Sequence, residues 1–306
     1  MSANNCVPIR LYDAFTDRRF GGNIAGVVYE AEKLDEQQML NIATELKSPT
    51  TGFLSKRGQN TFGLRFFTPK FELTRCGHVM LGCTAALLDE GYVSVDKEPI
   101  TVTFDTKSGP AEVLVFPKSE NDLALIMMKQ TAPTFRSTNL TPKDLIRPLG
   151  IADDLFADEH PFEIVSTGLN HLFVPVKDRE TMGKLIPDTY KLLSLSYHLG
   201  VETINVFTLD TENDGYQVHS RDFAPAYSDP EESASGTTNS ALACYLVKNG
   251  IVTDQSKGKV VVQAEQGFEM RRPSFIRSEI TLSGTDITEV WVGGTAVRTV
   301  EGKITC

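Results

Sequence analysis

The feature that most constrains the fold of this chain is a pattern that occurs twice along the sequence. Residues 67–69 (Phe-Thr-Pro) are followed by an acidic loop and by a helical segment that begins at Gly77. Residues 223–225 (Phe-Ala-Pro) are followed by the same series, with a helical segment that begins at Gly236. In both copies a second glycine follows at an interval of 14 residues. A chain that repeats its order of elements is expected to form two similar substructures.

The surrounding segments extend this repeat. Amphipathic helices are predicted at 35–47 and 189–199, in corresponding places upstream of the two central helices. We therefore predict an α+β fold of two pseudo-symmetric halves, each a mostly antiparallel sheet wrapped around a central helix. The N-terminal half is assigned to 1–130 plus 287–306, and the C-terminal half to 131–286. We expect the active site in a cleft between them.

Polar residues gather where the two central helices begin. Backbone N–H groups and the helix dipole at such a start bind an anion or a developing oxyanion. A carboxylate or imidazole beside that position suits a general acid/base isomerase. The simpler interpretation is that the hydroxyls cap the helices and that the acids are solvated. The residues concerned are Glu72, Gly77 and His78 in the first half, and Asp229, Glu231, Glu232, Ser233, Ser235, Gly236, Thr237 and Thr238 in the second.

The charge and hydropathy of the chain exclude several classes of protein. Thirty basic and 40 acidic residues give a net charge of −10, without a basic block that would bind nucleic acid or an acidic membrane surface. No apolar run approaches the ~20 residues that span a bilayer. The first twenty residues lack the apolar core of a signal peptide. We therefore expect a cytoplasmic protein that acts on a small molecule and binds neither nucleic acid nor membranes.

Motifs for metals and cofactors are missing from the sequence. The five cysteines are scattered without a C-x-x-C pair, and the five histidines lack the spacing of metal ligands. No glycine-rich dinucleotide or phosphate-binding motif and no nucleophile elbow is present. We expect neither a metal nor a cofactor.

Six segments, in this order and covering almost the whole chain, together resemble the phenazine-biosynthesis PhzF-like family. They are DAFTDRRFGGNIAGVV (13–28), FFTPKFELTRCGH (66–78), STGLNHLFVPV (166–176), FAPAYSDPEESASGTT (223–238), QGFEMRRPS (266–274) and VWVGGTAV (290–297). The resemblance implies the diaminopimelate epimerase-like fold, which agrees with the internal repeat. It also implies a cofactor-free isomerase that forms a homodimer and takes part in the biosynthesis of a specialised metabolite.

The resemblance also assigns roles to individual positions. The family's Gly-His before the first central helix matches Gly77 and His78. Its Glu-Asp-x-x-Thr-Gly-Ser stretch falls on Glu231, Glu232, Ser235, Gly236 and Thr237, so that a glutamate replaces the usual aspartate at 232. We expect Glu232 and His78 to be catalytic, with Glu231 as a further candidate. Gly77, Asn23, Ser235, Gly236 and Thr237 are expected to bind the substrate or an oxyanion.

One departure from the family pattern changes the expected chemistry. The family's Ser-Glu-Thr, whose glutamate shuttles the proton, falls on Ser48, Pro49 and Thr50. Proline has no titratable group, so the allylic proton transfer of the family cannot proceed in its usual form. Glu45 does not replace it, because it lies away from the apolar stripe of its helix. We predict instead an isomerase that starts by protonation, for example by opening an epoxide or ionising an allylic alcohol before a skeletal shift or cyclisation.

Two alternatives remain open. Cys76 and Ser235 occupy the places of the two catalytic cysteines of the related epimerases and racemases, which suggests a Cys76-dependent epimerase or racemase. Against this, neither residue lies within the usual CGNG or CGTG sequence, and Cys76 is equally compatible with a buried, inert thiol. The other alternative is a non-catalytic pseudo-enzyme that binds a small molecule and lost its base at Pro49.

Overall fold

A computed structural model describes residues 6–118, 123–226, 230–253 and 258–305. The chain divides into two compact units. The first contains the chain up to Lys129 together with the segment from Gly293 onward, and the second contains Gln130–Val292. The predicted return of the chain to the first half, at 287, lies six residues before Gly293.

The first unit is a sheet around one helix. Strand β18 pairs with β1, and β1 pairs with β2, in both cases antiparallel. The sheet continues through β3, β4, β6, β7 and β8, with β5 paired to the end of β4. Only the β2–β3 and β4–β6 pairs among these are parallel. Its elements are β1 (Cys6–Ala14), β2 (Asn23–Val28), α1 (Glu36–Leu46), β3 (Thr50–Lys56), β4 (Thr61–Phe67), β5 (Glu72–Leu73), α2 (Gly77–Asp89), β6 (Ile100–Thr106), β7 (Gly109–Lys118), β8 (Ala124–Lys129) and β18 (Ala296–Thr305).

The second unit repeats this plan. Antiparallel pairs join β9 to β10, β10 to β11, β12 to β13 and β15 to β16, and β14 pairs with the end of β13. The β11–β12 and β13–β15 pairs are parallel. Its elements are β9 (Thr134–Ser137), α3 (Pro142–Leu149), β10 (Glu163–Ser166), β11 (Asn170–Pro175), α4 (Arg179–Lys184), α5 (Thr189–Leu199), β12 (Thr203–Thr208), β13 (Val218–Phe223), β14 (Glu231–Glu232), α6 (Gly236–Lys248), β15 (Lys259–Gln266), β16 (Ser274–Ser283) and β17 (Asp286–Gly294), whose last two residues belong to the first unit.

The two central helices are α2 and α6, as the repeat predicts. Helix α2 packs against β1, β2, β3, β8 and β18, and every residue from Val79 to Leu87 is buried. Helix α6 packs against β10, β11, β15 and β16 and is at least as deeply buried. The predicted α+β fold, with a mostly antiparallel sheet around a helix in each half, is confirmed.

Local sequence signals explain several element boundaries. Asp35 and Gln38 form the capping box that starts α1, each side chain bonding to the other residue's backbone N–H. Pro142 occupies the first turn of α3, and Asp144 completes a capping box with Thr141. Strand β8 ends at Lys129 and β9 begins at Thr134, so residues 130–133 connect the two strands. No helix among the described residues is long and apolar enough to span a membrane.

A buried histidine of the second unit is paired with two carboxylates. His219 on β13 lies between two carboxylates, with Nδ1 3.1 Å from Glu265 Oε2 and Nε2 3.0 Å from Glu269 Oε1. Glu265 is fully buried, and its carboxylate also accepts the backbone N–H groups of Glu212 and Asn213. Although burial opposes a charged ring, the two carboxylates prevail and raise the pKa of His219 from 6.5 to about 9.

This cluster predicts a fall in stability at alkaline pH. The pKa of His219 is higher in the folded chain, so its contribution is fully present below pH 6.5 and is lost as the pH rises through about 9. At 1.36 kcal/mol per pKa unit, the free energy of unfolding should fall by about 3 kcal/mol over this interval. Urea denaturation at pH 6.5 and pH 9.5 measures the change. His219→Gln should remove most of the difference and exposed His198→Gln should keep it; an equal pH dependence in both variants would contradict the prediction.

Candidate functional site

Two of the predicted site residues lie at one edge of the first unit's sheet. Strands β2 and β3 are parallel and pair Ala25 with Thr50. The residues just before these positions therefore lie at the same end of the two strands. Asn23 begins β2 there and is buried, and Pro49 directly precedes β3 and is half-buried. Glu45 is exposed on α1, as its position on the helix predicts.

The first turn of α2 carries the Cys-Gly-His sequence. Cys76 is the N-cap in an extended conformation, and its side chain makes no capping hydrogen bond. It is half-buried rather than fully buried, and its Sγ lies 3.4 Å from His78 Nδ1. A Cβ atom added to Gly77 would find only Met128 Cε, at 3.8 Å, so the space in front of this residue is open. The roles of Asn23, Gly77 and Cys76 in binding or chemistry stay predictions.

His78 is a neutral imidazole at physiological pH. Burial lowers its pKa from 6.5 to about 4, because an imidazolium would lose its hydration there. A neutral ring can accept a proton or orient a ligand, but it cannot act as an imidazolium acid. The catalytic role of His78 stays a prediction, with proton acceptance or substrate orientation as the forms open to a neutral ring.

Both units contain the same arginine–glutamate pair. Arg65 Nε and Nη2 donate to the two oxygens of Glu72, each at 2.7 Å. Arg221 donates in the same way to Glu231, each bond at 2.8 Å, and its Nη1 donates to the carbonyl of Met182. The pairs occupy equivalent strands, β4 with β5 and β13 with β14. Glu72 and Glu231 are thus held as structural partners of arginines, which argues against Glu231 as a catalytic acid.

This geometry predicts that Glu231 contributes to stability. The Arg221 side chain is only 9% exposed, so Glu231→Gln leaves a guanidinium in a buried site without its charge partner. We expect a loss of about 3 kcal/mol in the free energy of unfolding, as for other broken buried pairs. The matched control is Glu180→Gln, which removes a carboxylate paired with Lys184 at the surface and should cost less than about 1 kcal/mol. Equal urea midpoints for the two variants would refute the assignment.

Glu232 faces the other way. Successive side chains of a strand point to opposite faces, and in β14 Glu231 is the cross-strand partner of Phe223 whereas Glu232 is the partner of Asp222. Glu232 is half-buried and shares the face on which Asp222 contacts α6. Its backbone carbonyl accepts a hydrogen bond of 2.7 Å from Gln266 Nε2. Of the two adjacent glutamates, Glu232 is the one on the side of the helix start.

The start of α6 is rich in hydroxyl groups. Ser235 is the N-cap, and its Oγ accepts the backbone N–H of Thr238. The Thr237 hydroxyl lies 3.4 Å from Ser235 Oγ and is partly exposed. The backbone N–H of Ser235 is held by Gln266 Oε1 at 3.2 Å. Gly236 is buried as the first helical residue. The helix-capping interpretation of Ser235 is thus confirmed, and its binding of substrate stays a prediction, as it does for Gly236 and Thr237.

Sequence reasoning missed one acidic residue in this region. Asp222 on β13 is fully buried, and its Oδ2 lies 2.6 Å from the hydroxyl of Thr238. Burial raises its pKa from 3.8 to about 6, although the hydrogen bond from Thr238 opposes this shift. The internal repeat could have revealed Asp222, because it is a charged residue at the strand position where the first half has Phe66. Asp229, which the sequence analysis grouped with these acids, lies outside the described residues.

Comparisons with known proteins agree on one family. The family described as "Phenazine biosynthesis-like protein", PhzC-PhzF, matches residues 12–302. The chain is 30% identical to the uncharacterized isomerase YfhB of Bacillus subtilis, over 94% of each chain. It is 28% identical to the trans-2,3-dihydro-3-hydroxyanthranilate isomerase of Pseudomonas chlororaphis, over 96% of this chain and 98% of the other.

A solved structure agrees with the sequence comparisons. The crystal structure of a Bacillus anthracis phenazine biosynthesis protein of the PhzF family superposes with a TM-score of 0.88 at 26% identity. The alignment covers 98% of this chain and 99% of that protein. The chain therefore belongs to the phenazine biosynthesis-like family, PhzC-PhzF.

Proposed function

We propose that this isomerase rearranges a small cyclic metabolite by general acid catalysis, without a cofactor, and that Glu232 is the proton donor. The proposal rests on one observation: the adjacent glutamates Glu231 and Glu232 lie on opposite faces of β14. Glu231 is fixed by Arg221, whereas Glu232 lies on the face of β14 that turns to the start of α6. A carboxylic acid beside a helix start and several hydroxyl groups is suited to protonating a substrate oxygen.

The absence of an acid/base group at position 49 supports protonation as the first step. Abstraction of a carbon proton needs a base at that position in the family, and Pro49 has none. Protonation of an epoxide instead opens it to an electron-deficient carbon and a hydroxyl that stays on the substrate, and a skeletal shift or a ring closure then gives an isomer. Protonation of an allylic alcohol releases water, which must add back at the other end of the allyl cation to give an isomer. His78, as a neutral ring, is left with orienting the substrate or accepting a proton.

Turnover of cyclic epoxides and cyclic allylic alcohols that carry a carboxylate tests this function. One member of the set is trans-2,3-dihydro-3-hydroxyanthranilate, the compound in the name of the Pseudomonas relative. The chain, in buffer with a chelator and no added cofactor, should convert at least one member to a product of unchanged mass. Binding without conversion across the set would support the pseudo-enzyme. Solvent deuterium at an inverted stereocentre, lost in Cys76→Ala, would support the epimerase.

A further inference from the structure

A chain of hydrogen-bonding groups connects the N-cap of α6 to a buried carboxyl. Thr238 Oγ1 is the donor in both contacts, at 2.9 Å to Ser235 Oγ and at 2.6 Å to Asp222 Oδ2. Thr238 and Asp222 are fully buried, and Ser235 is 9% exposed at the outer end of the chain. A hydroxyl has one proton, so Thr238 donates to only one of these two acceptors at a time. When it donates to the Asp222 carboxylate, its lone pairs can accept the hydroxyl proton of Ser235. The geometry therefore allows a proton to pass along the three groups.

The fold does not need polar groups at these positions. The strand registers and the spacing of the Gly77 and Gly236 helices make Asp222 equivalent to Phe66, and Thr238 equivalent to Val79. Phe66 and Val79 are buried apolar residues. The same architecture is thus built in the first unit from apolar side chains. Burying a carboxyl in the second unit costs free energy that packing alone does not require.

The surroundings of Asp222 allow its carboxyl to change protonation state near neutral pH. From β11, His171 faces the network with Nδ1 3.3 Å from Thr238 Oγ1, and burial lowers the pKa of His171 to about 3, so that it is neutral. From β14, Glu232 lies opposite, and the charge of Glu231, although paired with Arg221, contributes to the raised pKa of Asp222. Helix α6 contributes hydroxyls to the network. With a pKa of about 6, Asp222 is mostly a carboxylate at pH 7 and accepts a proton readily.

We propose that Asp222, acting through the Thr238 hydroxyl, takes up a proton from Ser235, and that Ser235 is the group that receives this proton from a hydroxyl of the bound substrate. The proposal rests on the proposed function and adds the base that the chain lacks at Pro49. Ser235 is then the catalytic residue, because it touches the substrate, whereas Thr238 and Asp222 are positioning residues. The substrate class becomes a molecule with both an epoxide and a free nucleophilic hydroxyl.

The proton balance of this step closes without a co-reactant. Glu232 gives its proton to an epoxide oxygen, one C–O bond of the epoxide breaks, and the oxygen stays on the neighbouring carbon as a hydroxyl. The substrate hydroxyl forms a new C–O bond and gives its proton to Ser235 Oγ, which passes its own proton to Thr238 Oγ1. Thr238 passes its proton to Asp222 Oδ2. The substrate is isomerised, Glu232 ends as a carboxylate and Asp222 as a carboxylic acid, and exchange with solvent restores both.

The relay is tested first by NMR on the chain without substrate. In protein labelled with ¹³C at aspartate and serine, the Asp222 carboxyl should titrate at about pH 6, and the Ser235 Cβ signal should follow with the same midpoint. Thr238→Val should abolish this response of Ser235, and Thr238→Ser should preserve it. Thr238→Val is expected to fold, because Val79 occupies the equivalent buried position. Thr84→Val, which removes a buried hydroxyl from α2, is the matched control and should leave the response unchanged.

Turnover is the second readout. With a hydroxylated substrate, Thr238→Val should lower kcat by about 10²-fold or more at little change in KM, and Thr238→Ser should restore most of it. The relay is refuted if the Ser235 Cβ signal does not follow the titration of Asp222, or if it follows that titration equally in Thr238→Val. This conclusion does not depend on which substrates the chain converts. Coupled titration with normal kcat in Thr238→Val also overturns the relay. Coupled titration without turnover of any substrate in the set refutes the proposed function instead.

Discussion

Glu232→Gln is expected to lower kcat by 10²–10⁴-fold, the usual contribution of a general acid, with little change in stability. Glutamine keeps the shape of the side chain but has no proton to give. The backbone position of residue 232 is held by its pairing with Asp222 and by the hydrogen bond from Gln266, and neither depends on the carboxyl group. The measurement is the rate with the substrate that the unmodified chain converts fastest.

The pH dependence of the reaction is a second test of the role of Glu232. An acid catalyst must be protonated, so the rate should fall as the pH rises through the pKa of Glu232 in the complex. This fall should be absent in Glu232→Gln. Exposed Glu45→Gln on α1 is the matched control and should leave rate and profile unchanged. A Glu232→Gln enzyme with near-normal turnover would remove Glu232 from the mechanism and leave Ser235 as the candidate group at the start of α6.

The sequence predicted the fold well because the signals were local and repeated. The capping box of Asp35 and Gln38, the glycines that begin α2 and α6, and the Phe-x-Pro ends of two strands are read directly from neighbouring residues. The short helix α4 and strands β3, β5, β9 and β14 were missed. Strands of two residues exist only through pairing with distant partners, and no local periodicity marks them.

The site was predicted less completely, since its chemistry depends on contacts that are distant along the chain. Glu231 and Glu232 are neighbours with the same side chain, and the structural role of Glu231 depends on its bond from Arg221, ten residues away along the chain. The neutral state of His78 follows from burial, which a sequence does not display. Asp222 had a signal, because the internal repeat places it where the first half has Phe66. Alignment of the two halves, position by position, would have revealed it.

The second large effect is expected from restoring the missing acid/base group. In the family pattern the residue at position 49 is the glutamate that shuttles the proton, and in this chain it is proline. Pro49→Glu should increase the isomerisation of trans-2,3-dihydro-3-hydroxyanthranilate by 10²-fold or more, because a positioned base contributes about 10²–10⁴-fold. Product formation in deuterium oxide, followed by NMR, measures both the rate and the entry of solvent deuterium at carbon.

The local structure is favourable for this substitution. Position 49 is half-buried between Ser48, whose hydroxyl lies 2.8 Å from Thr51 Oγ1, and Thr50, which pairs with Ala25 of β2. Both flanking positions are therefore held by contacts that do not involve the proline ring. Proline donates no backbone hydrogen bond, so none is lost when it is replaced. Pro49→Gln is the control, because it has the length of glutamate without a titratable group and should show no gain. If folded Pro49→Glu and Pro49→Gln convert the compound equally slowly, the loss of the base at this position does not explain how this chain departs from its family.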